Sequence, residues 1–558
     1  MSLPDDADPR ASREARAGRF SGPSLIPTLN EIQARRGWLP REELVSLARE
    51  TRRPLYELQG LCSFYPHFRT SGPPDLVEIA VCRDLACWLQ HGEQHLAEVR
   101  ARYCEDPDVS IRPVSCLGRC DRAPAAAVNE YPTTVDAFDE LVEKARAGDL
   151  GSAAALRPER RWPTDPYAPG EERYRVLRAA LAGKPPPEML VEVIKDSKLR
   201  GMGGAGFPTG LKWELVRGEP RSPRYVICNA DESEPGTFKD RQILAELPHL
   251  VIEGMLLGML VVGAEQGWIF IRHEYGPEEH IVREELEQVG ALGLIGSDVL
   301  GHGTTLNVEV FVSPGGYILG EETALIECME GHRGEPRNKP PFPGSHGLWG
   351  QPTLMNSVET FADIPIIVDQ GAEAWRSRGV GDADGLKYLS VSGHVESPGV
   401  YCVPLGTPTG ELLEQAGGVS GGRELAAVQP GGASSNFLGP DSLAVPLDFG
   451  ALADAGSMLG SGALVVMADG TDLLAAATNV LGFFKNESCG KCVPCRAGSQ
   501  KAETILVELL AAGGGPSNVD ERIPQLEETM RLTSICGLGQ VALGPVLSVL
   551  RLAADGRA

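Results

Sequence analysis

An α/β multidomain fold is predicted, and three observations predict it. Strand-like runs alternate with amphipathic or apolar helical patterns along most of the chain. At 558 residues the chain exceeds what one hydrophobic core accommodates, so several domains are expected. A stretch rich in Gly, Ala, Pro and Arg at 147–172 reads as a linker between two of them.

Taken in order, LIPTLNEIQARRG and REELVSLARETR have the spacing of short amphipathic helices, the second opening at Pro40. DLVEIAVC alternates as a strand ending at Cys82. ACWLQHGEQHLAEVRARYC continues as one helix, VSIRPVSC as a strand into Cys116, and AAAVNE as a further strand. These make a small α/β domain, with four cysteines expected on the loops after its strands. RYVICNA and WIFIRHEY read as buried strands separated by the helix LPHLVIEGMLLGMLVVGAE, the centre of a larger α/β unit. LKYLSVSGHVESPGVYCVP opens a strand- and turn-rich module that ends near PLDFG, and the sequence from about residue 470 is helical.

Composition excludes several classes of function. A formal charge of −24 argues against nucleic acid as a partner, because phosphate binding requires clustered Lys and Arg. The polar start MSLPDDADPRASREARAGRF does not read as a secretory signal. The most apolar stretch, Leu250–Val262, contains Glu253 and is too short to span a bilayer, so no direct membrane insertion is expected. The cysteine count is odd, at 13, and eight fall into ligand-like sets, which favours cytoplasmic metal binding over disulfides. Cys62, Cys104, Cys228, Cys328 and Cys402 lack such spacing and read as small buried hydrophobes.

Cys489, Cys492 and Cys495 in ESCGKCVPC, joined by Cys536 in SICGLG, have the spacing of a [4Fe-4S] site. Structural zinc accepts four thiolates too, but zinc sites usually pair two CxxC knuckles. Lys491 and Arg496 flank the set as solvated or capping residues that would place positive charge near the sulfurs. Cys82, Cys87, Cys116 and Cys120, spaced as Cys-x4-Cys and Cys-x3-Cys, fit a [2Fe-2S] site better than a zinc knuckle.

Between the cysteine sets lies GMGGAGFPTG, in which Gly201, Gly203 and Gly206 satisfy G-x-G-x-x-G. The preceding VEVIKDSKLR is helical in pattern, a poor context for a Rossmann fingerprint, and a purely structural glycine turn is the alternative reading. Glycines nonetheless let backbone N–H groups approach a phosphate or a flat ring, and Lys212 adds a charge just beyond. Asn229, Asp231, Glu232, Ser233 and Glu234 follow a strand, where α/β proteins bind ligands. Tyr317, Gly320, Glu321 and Glu322 stand at another glycine turn that opens a helix, where acidic residues also serve as dipole partners. Lys339 and Phe342 lie on the proline-stiffened NKPPFP loop.

These residues occur together in GMGGAGFPTGLKW, ICNADESEPGTFKDR, GGYILGEETALIE, KPPFP, PTLMNSVET and ESCGKCVPC…SICGLGQ. Over roughly residues 173–555 the chain resembles the NADH-oxidising flavoprotein of respiratory complex I, a family shared with NAD-dependent formate dehydrogenases and NAD-reducing hydrogenases. The first 150 residues, with LNEIQARRGWLP, CSFYPHF and CLGRC, resemble the thioredoxin-like [2Fe-2S] subunit of the same systems. The resemblance implies a helical region at 20–75, a thioredoxin-like [2Fe-2S] domain at 76–146, a linker at 147–172 and an FMN/NADH-binding α/β domain at 173–365. A β-grasp module at 385–450 and a helical [4Fe-4S] domain at 470–555 complete it.

The same resemblance implies that FMN lies along Gly201, Gly203, Gly204, Lys212, Asn229, Asp231, Glu232, Gly320, Glu321 and Asn356. NAD(H) would use Phe207, Glu234, Tyr317, Glu322, Lys339 and Phe342. Met202 stands where the family usually has Arg, and Ser357 replaces the second Asn of its NN pair. Hydride exchange between nicotinamide and flavin needs no catalytic base, so no catalytic residue is expected; the protein holds and tunes the cofactors. The phrases SICGLGQVA and VPLDFG, and the fusion itself, resemble the formate dehydrogenase branch. They imply a cytoplasmic diaphorase subunit serving an alpha subunit that carries a molybdenum or tungsten cofactor and iron–sulfur clusters, within a possible larger hetero-oligomer. The alternatives are a diaphorase of an NAD-reducing hydrogenase or of complex I, and, in another class, a non-enzymatic iron–sulfur carrier.

Overall fold

The computed structural model describes residues 24–133, 138–150, 160–168 and 170–556. The polar start, the first four residues of the expected 20–75 region, 134–137 of the expected [2Fe-2S] domain, and 151–159 and 169 of the expected linker lie outside the described residues.

Three helices open the described chain, Ile26–Arg36, Arg41–Glu50 and Leu55–Phe64. The first stops at Gly37, which adopts φ +78° and returns its N–H to the Gln33 carbonyl, a left-handed cap that glycine adopts without a Cβ penalty. Strands β1 (Val77–Cys82), β2 (Val109–Val114), β3 (Ala126–Val128) and β4 (Tyr131–Thr133) follow, ordered β2-β1-β3-β4.

Three expectations change here. The strand expected at AAAVNE is β3, but it stops at Val128, because Asn129 and Glu130, both at positive φ, turn the chain into β4. The expected helix over 86–104 is two, Leu85–Leu89 and Gly92–Tyr103, broken by His91 at φ +61°. Only two of the four cysteines lie on loops or turns after strands: Cys82 ends β1 and Cys87 sits in the first short helix.

The central sheet is entirely parallel and ordered β7-β6-β5-β8, from β5 (Tyr225–Ala230), β6 (Gln266–Arg272), β7 (Asn307–Ser313) and β8 (Thr353–Ser357). The order reverses between β5 and β8, which makes their carboxyl ends a topological switch point, the usual ligand crevice of such sheets. Register places Asn229 beside Ser357 at that end. The apolar helix Pro248–Val262 is buried nearly throughout. Its Glu253 is tolerated because its carboxylate accepts the Leu177 N–H at 3.0 Å and the Tyr167 hydroxyl at 2.6 Å.

The third sheet is ordered β10-β9-β12-β11, from β9 (Leu386–Gly393), β10 (Gly399–Pro404), β11 (Leu425–Gln429) and β12 (Ala463–Ala468). Its interior strand β12 lies beyond the expected 385–450 module. The reason is pairing: β12 runs parallel to β9 and antiparallel to β11, so the sheet closes only with it.

Four longer helices end the chain, Leu473–Asn486, Val493–Ala511, Arg522–Thr533 and Gly544–Ala554, with the short helix Gly537–Val541 between the last two. Among the described residues, the stretch Gly537–Ala554 has the length and hydropathy of a membrane span, yet half of it is buried in the fold.

The described part of the expected linker is a docked strap. Trp162 is buried, donates its indole N–H to Glu246 at 2.5 Å and packs on the Tyr388 ring at 5.1 Å. Thr164 shares a hydrogen bond with the Tyr388 hydroxyl.

Candidate functional site

A cavity of about 370 Å³ opens at the switch point. Its lining combines the glycine turn, the loop after β5, the turn that follows β7, and loops from the third sheet and the helical end. Of the sequence-derived site residues, Gly203, Gly204, Asn229, Asp231, Glu232, Glu234, Tyr317, Gly320 and Glu321 line it. Gly201, Phe207, Lys212, Glu322, Lys339, Phe342 and Asn356 do not.

Those outside the cavity support it or flank it. Gly201 closes the turn by donating to the Phe207 carbonyl at 2.8 Å. Asn356 accepts the Trp213 indole N–H at 2.9 Å, and Lys212 donates to the Met355 carbonyl at 3.1 Å. Lys339 lies 2.8 Å from both Glu321 and Glu322, so these three form one charged edge. Phe207 and Phe342 are exposed rings.

Several lining groups are already engaged. Asn229 donates to the Gly320 carbonyl at 3.0 Å and accepts the Asp231 N–H at 3.1 Å, tying two loops together. Glu232 accepts the N–H groups of Asp240 at 2.8 Å and Arg241 at 3.0 Å and the Tyr275 hydroxyl at 2.9 Å, so its carboxylate anchors the next helix. Glu321 caps the helix Glu322–Met329 through Thr323 and Ala324. Glu234 accepts the Ser434 N–H at 2.6 Å, and burial raises its pKa.

Asp231 is different. It is buried, one of its carboxyl oxygens meets no protein donor, and burial pushes its pKa up to about 8. An unpartnered buried carboxyl facing a cavity is a docking point for a polar ligand. The glycine turn supplies the matching cradle. A Cβ at Gly203 would stand 3.0 Å from the Ser357 Cβ, and Gly204 adopts φ +118° against the Gly460 backbone. The glycine backbone would admit the close approach of a flavin, and the Asp231 carboxyl suits a hydroxyl or ring N–H of that ligand and not its phosphate. The two departures from the family pattern meet at one hydroxyl, since Thr360 bonds the Met202 N–H and the Ser357 hydroxyl, each at 2.9 Å.

Sequence reasoning missed the far wall, Met458, Gly460 and Ser461, contributed from more than two hundred residues away. It also missed Lys239, a buried lysine on the cavity wall that pairs with Asp240 at 2.6 Å and Glu359 at 2.8 Å. No local signal marked it, since Lys239 opens a helix that continues with Asp240, Arg241 and Gln242.

Cys489, Cys492, Cys495 and Cys536 line one small pocket, and Cys536 also lines the large cavity. Cys492 and Cys536 stand at helix N-caps. Burial pushes Cys495 up to about 11 and Cys536 up to about 12, so an electropositive metal core is what would hold them as thiolates. Lys491 donates to the Pro336 carbonyl at 2.6 Å and Arg496 to the Gly490 carbonyl, so both brace the cluster loop.

The N-terminal set is gathered as well. The Cys116 and Cys120 sulfurs are 3.5 Å apart, and the N–H groups of Gly118 and Ala125 point at Cys116 and Cys87. Arginines clamp this loop: Arg241 pairs with Asp121 at 2.8 Å, Arg119 with Glu278 at 2.8 Å, and Arg272 donates to the Cys116 carbonyl at 2.6 Å. Gly118, at φ +67°, packs so closely on Tyr275 that a Cβ would come within 2.4 Å of its hydroxyl oxygen.

Comparison with known proteins agrees with this geometry. Family models match for a thioredoxin-like [2Fe-2S] ferredoxin at residues 16–146 and the Nuo51 FMN-binding domain at 194–366. Further models match for an SLBB domain at 388–435 and the NADH-ubiquinone oxidoreductase-F iron–sulfur binding region at 475–555. These resolve the zinc alternative in favour of iron–sulfur clusters. The chain is 43% identical to the F 2 subunit of NADH-quinone oxidoreductase from Rhizobium meliloti over 66% of its own length and 87% of that relative. It is 39% identical to HndC, a subunit of the NADP-reducing hydrogenase of Solidesulfovibrio fructosivorans, over 65% of its length and 74% of that protein. A crystal structure of an NAD+-reducing [NiFe]-hydrogenase aligns with a TM-score of 0.84 and 31% identity, covering 95% of this chain and 91% of that one. The chain therefore belongs to the NADH-binding flavoprotein family of the NADH-quinone oxidoreductases, joined to a thioredoxin-like [2Fe-2S] domain, with FMN, NADH and both cluster types as its cofactors.

Proposed function

We propose that this chain is the diaphorase subunit of an NAD-dependent formate dehydrogenase, working in the cytoplasm beside a catalytic subunit that carries molybdenum or tungsten. The observation that carries the diaphorase reading is Cys536, which borders both the flavin cavity and the cluster pocket. FMN, when bound, supplies the conversion between a two-electron hydride and single electrons.

The chain's own residues do the rest by position. Gly203, Gly204 and Asn229 shape the flavin cradle, Asp231 offers it one unpaired carboxyl oxygen, and the Lys339–Glu321–Glu322 edge with Phe207 and Phe342 receives the nucleotide. Glu234 and Tyr317 hold the wall toward Ser434. No side chain is required to abstract a proton. Cys489, Cys492, Cys495 and Cys536 hold the [4Fe-4S] cluster as the port to the partner, and Cys82, Cys87, Cys116 and Cys120 hold the [2Fe-2S] cluster.

The formate assignment is supported by SICGLGQVA and VPLDFG, while the joined N-terminal domain fits a hydrogenase diaphorase equally. A hydrogenase partner is the second reading, favoured by the alignment over 95% of the chain with the hydrogenase structure. Native purification with metal analysis tests both. Molybdenum or tungsten in the co-purifying subunit, with formate-dependent NAD+ reduction, is the expected result. A nickel-iron partner overturns the formate reading, and an isolated chain that lacks flavin and fails to pass electrons from NADH to a dye overturns the diaphorase reading.

A further inference from the structure

A second cavity, about 400 Å³, lies between the [2Fe-2S] domain and the flavin domain, bordered by Cys116 on one side and by Ser233 and Tyr317 of the flavin cavity on the other. On its wall three side chains from three separate segments converge. His67 follows the third N-terminal helix, Glu130 sits on the β3–β4 turn, and His273 follows β6. One ligand atom from each lies within 4.8 Å of the others. The His67 Nδ1 to Glu130 Oε1 distance is 3.4 Å, and the two imidazole centroids are 4.3 Å apart.

We propose that His67, Glu130 and His273 form a binding site for a divalent first-row metal ion, with zinc as the fitting species, that pins the N-terminal helices and the [2Fe-2S] domain to the flavin domain. Two imidazoles and one carboxylate are a donor set that zinc accepts, with a fourth position left to water. Bonds of about 2.0–2.1 Å in a tetrahedron set ligand atoms roughly 3.4 Å apart, the spacing already present between His67 and Glu130. Glu130 is held in place by a backbone at φ +70°. Two cations on the same cavity wall are already neutralised, because Arg69 pairs with Glu78 and Arg272 lies 2.8 Å from Glu274. His273 Nδ1 is 3.3 Å from that same Glu274.

The test uses the full chain carrying its flavin and clusters, titrated with Zn²⁺ by calorimetry and examined by zinc-edge X-ray absorption. One zinc per chain is expected, with nitrogen and oxygen scatterers only. Glu130→Gln, on a half-exposed turn outside the redox sites, should weaken binding roughly tenfold or more, since even outer-shell partners are worth that much. The double variant His67→Ala, His273→Ala should abolish it. Unchanged flavin content in Glu130→Gln verifies its fold, and zinc should raise the thermal midpoint of the parent chain more than that of this variant. Absence of saturable binding, sulfur scatterers at about 2.3 Å that mark zinc in the cysteine sites, or affinity indifferent to Glu130→Gln would each overturn the proposal.

Discussion

The carboxylate of Glu487 accepts the backbone N–H of Tyr317 at 2.9 Å, and its other oxygen accepts the Ser115 hydroxyl at 2.5 Å. Ser115 precedes Cys116, which we propose as a [2Fe-2S] ligand, Tyr317 lines the flavin cavity, and Glu487 stands two residues before Cys489. One side chain thus ties together the segments that carry all three redox sites. Hydrogen bonds to a charged group contribute about 1.5–3 kcal/mol each, so Glu487→Ala should lower the thermal midpoint and release flavin on dialysis. Glu487→Gln retains an acceptor and should fall between. An alanine variant with the parent's midpoint and flavin content would show that this carboxylate does not tie the sites.

Cys536 divides two functions that share one wall. Cys536→Ala should lose [4Fe-4S] iron and its low-temperature EPR signal while keeping FMN, whose cradle glycines and Asp231 lie on other loops. NADH should still bleach the flavin in an anaerobic stopped-flow mixing, whereas electron delivery to the partner should collapse. Parent-level delivery from the variant would place the exit route elsewhere.

What was legible in the sequence follows contact distance along the chain. The cysteine sets and the loop after β5 were readable because their spacing is local chemistry. Helix breaks were less so: Gly92 after His91 signals the break, since a Cβ at Gly92 would stand 2.7 Å from the Cys87 carbonyl, but the flanking helical pattern outweighed it. The far wall of the cavity depends on β12 pairing with β9 some seventy residues away, and local pattern does not encode that register. Trp162 likewise belongs to a segment whose composition reads as linker; only its docking on Tyr388 and Glu246 makes it structural.

Asp231 gives the flavin-free protein a pH signature. Its folded pKa, raised by burial to about 8, lies above the unfolded value of about 3.9, so the native state binds the extra proton between them. Its contribution is fully present below the unfolded pKa and is lost as pH rises through the folded one. Asp231→Asn removes that loss. In urea denaturation of flavin-free protein, the variant should gain on the parent progressively from about pH 4 to pH 8. A stability difference that stays flat over this range would mean the carboxyl is not held neutral.

Glu359 is shared by two buried lysines. It is fully buried and sits 2.8 Å from the Lys239 ammonium and 2.6 Å from that of Lys387, and it accepts the Tyr388 N–H at 3.0 Å. Lys239 comes from the wall of the flavin cavity and Lys387 from β9, so this carboxylate joins the central sheet's domain to the third sheet. The two lysines respond oppositely: neighbouring carboxylates hold Lys239 above its ordinary pKa, while burial holds Lys387 below its own. Breaking a buried pair by removing one partner costs about 3–5 kcal/mol, because the charge left behind is uncompensated. Glu359→Gln strands the Lys387 ammonium and leaves Lys239 with Asp240 alone, so it should show a loss of that size in urea denaturation, with faster proteolysis between the two sheets. Lys387→Met removes one cation and leaves Lys239 paired, so it should cost less. If Lys387→Met proves the more damaging change, the Lys387 contacts with Tyr388, and not the shared carboxylate, hold this junction.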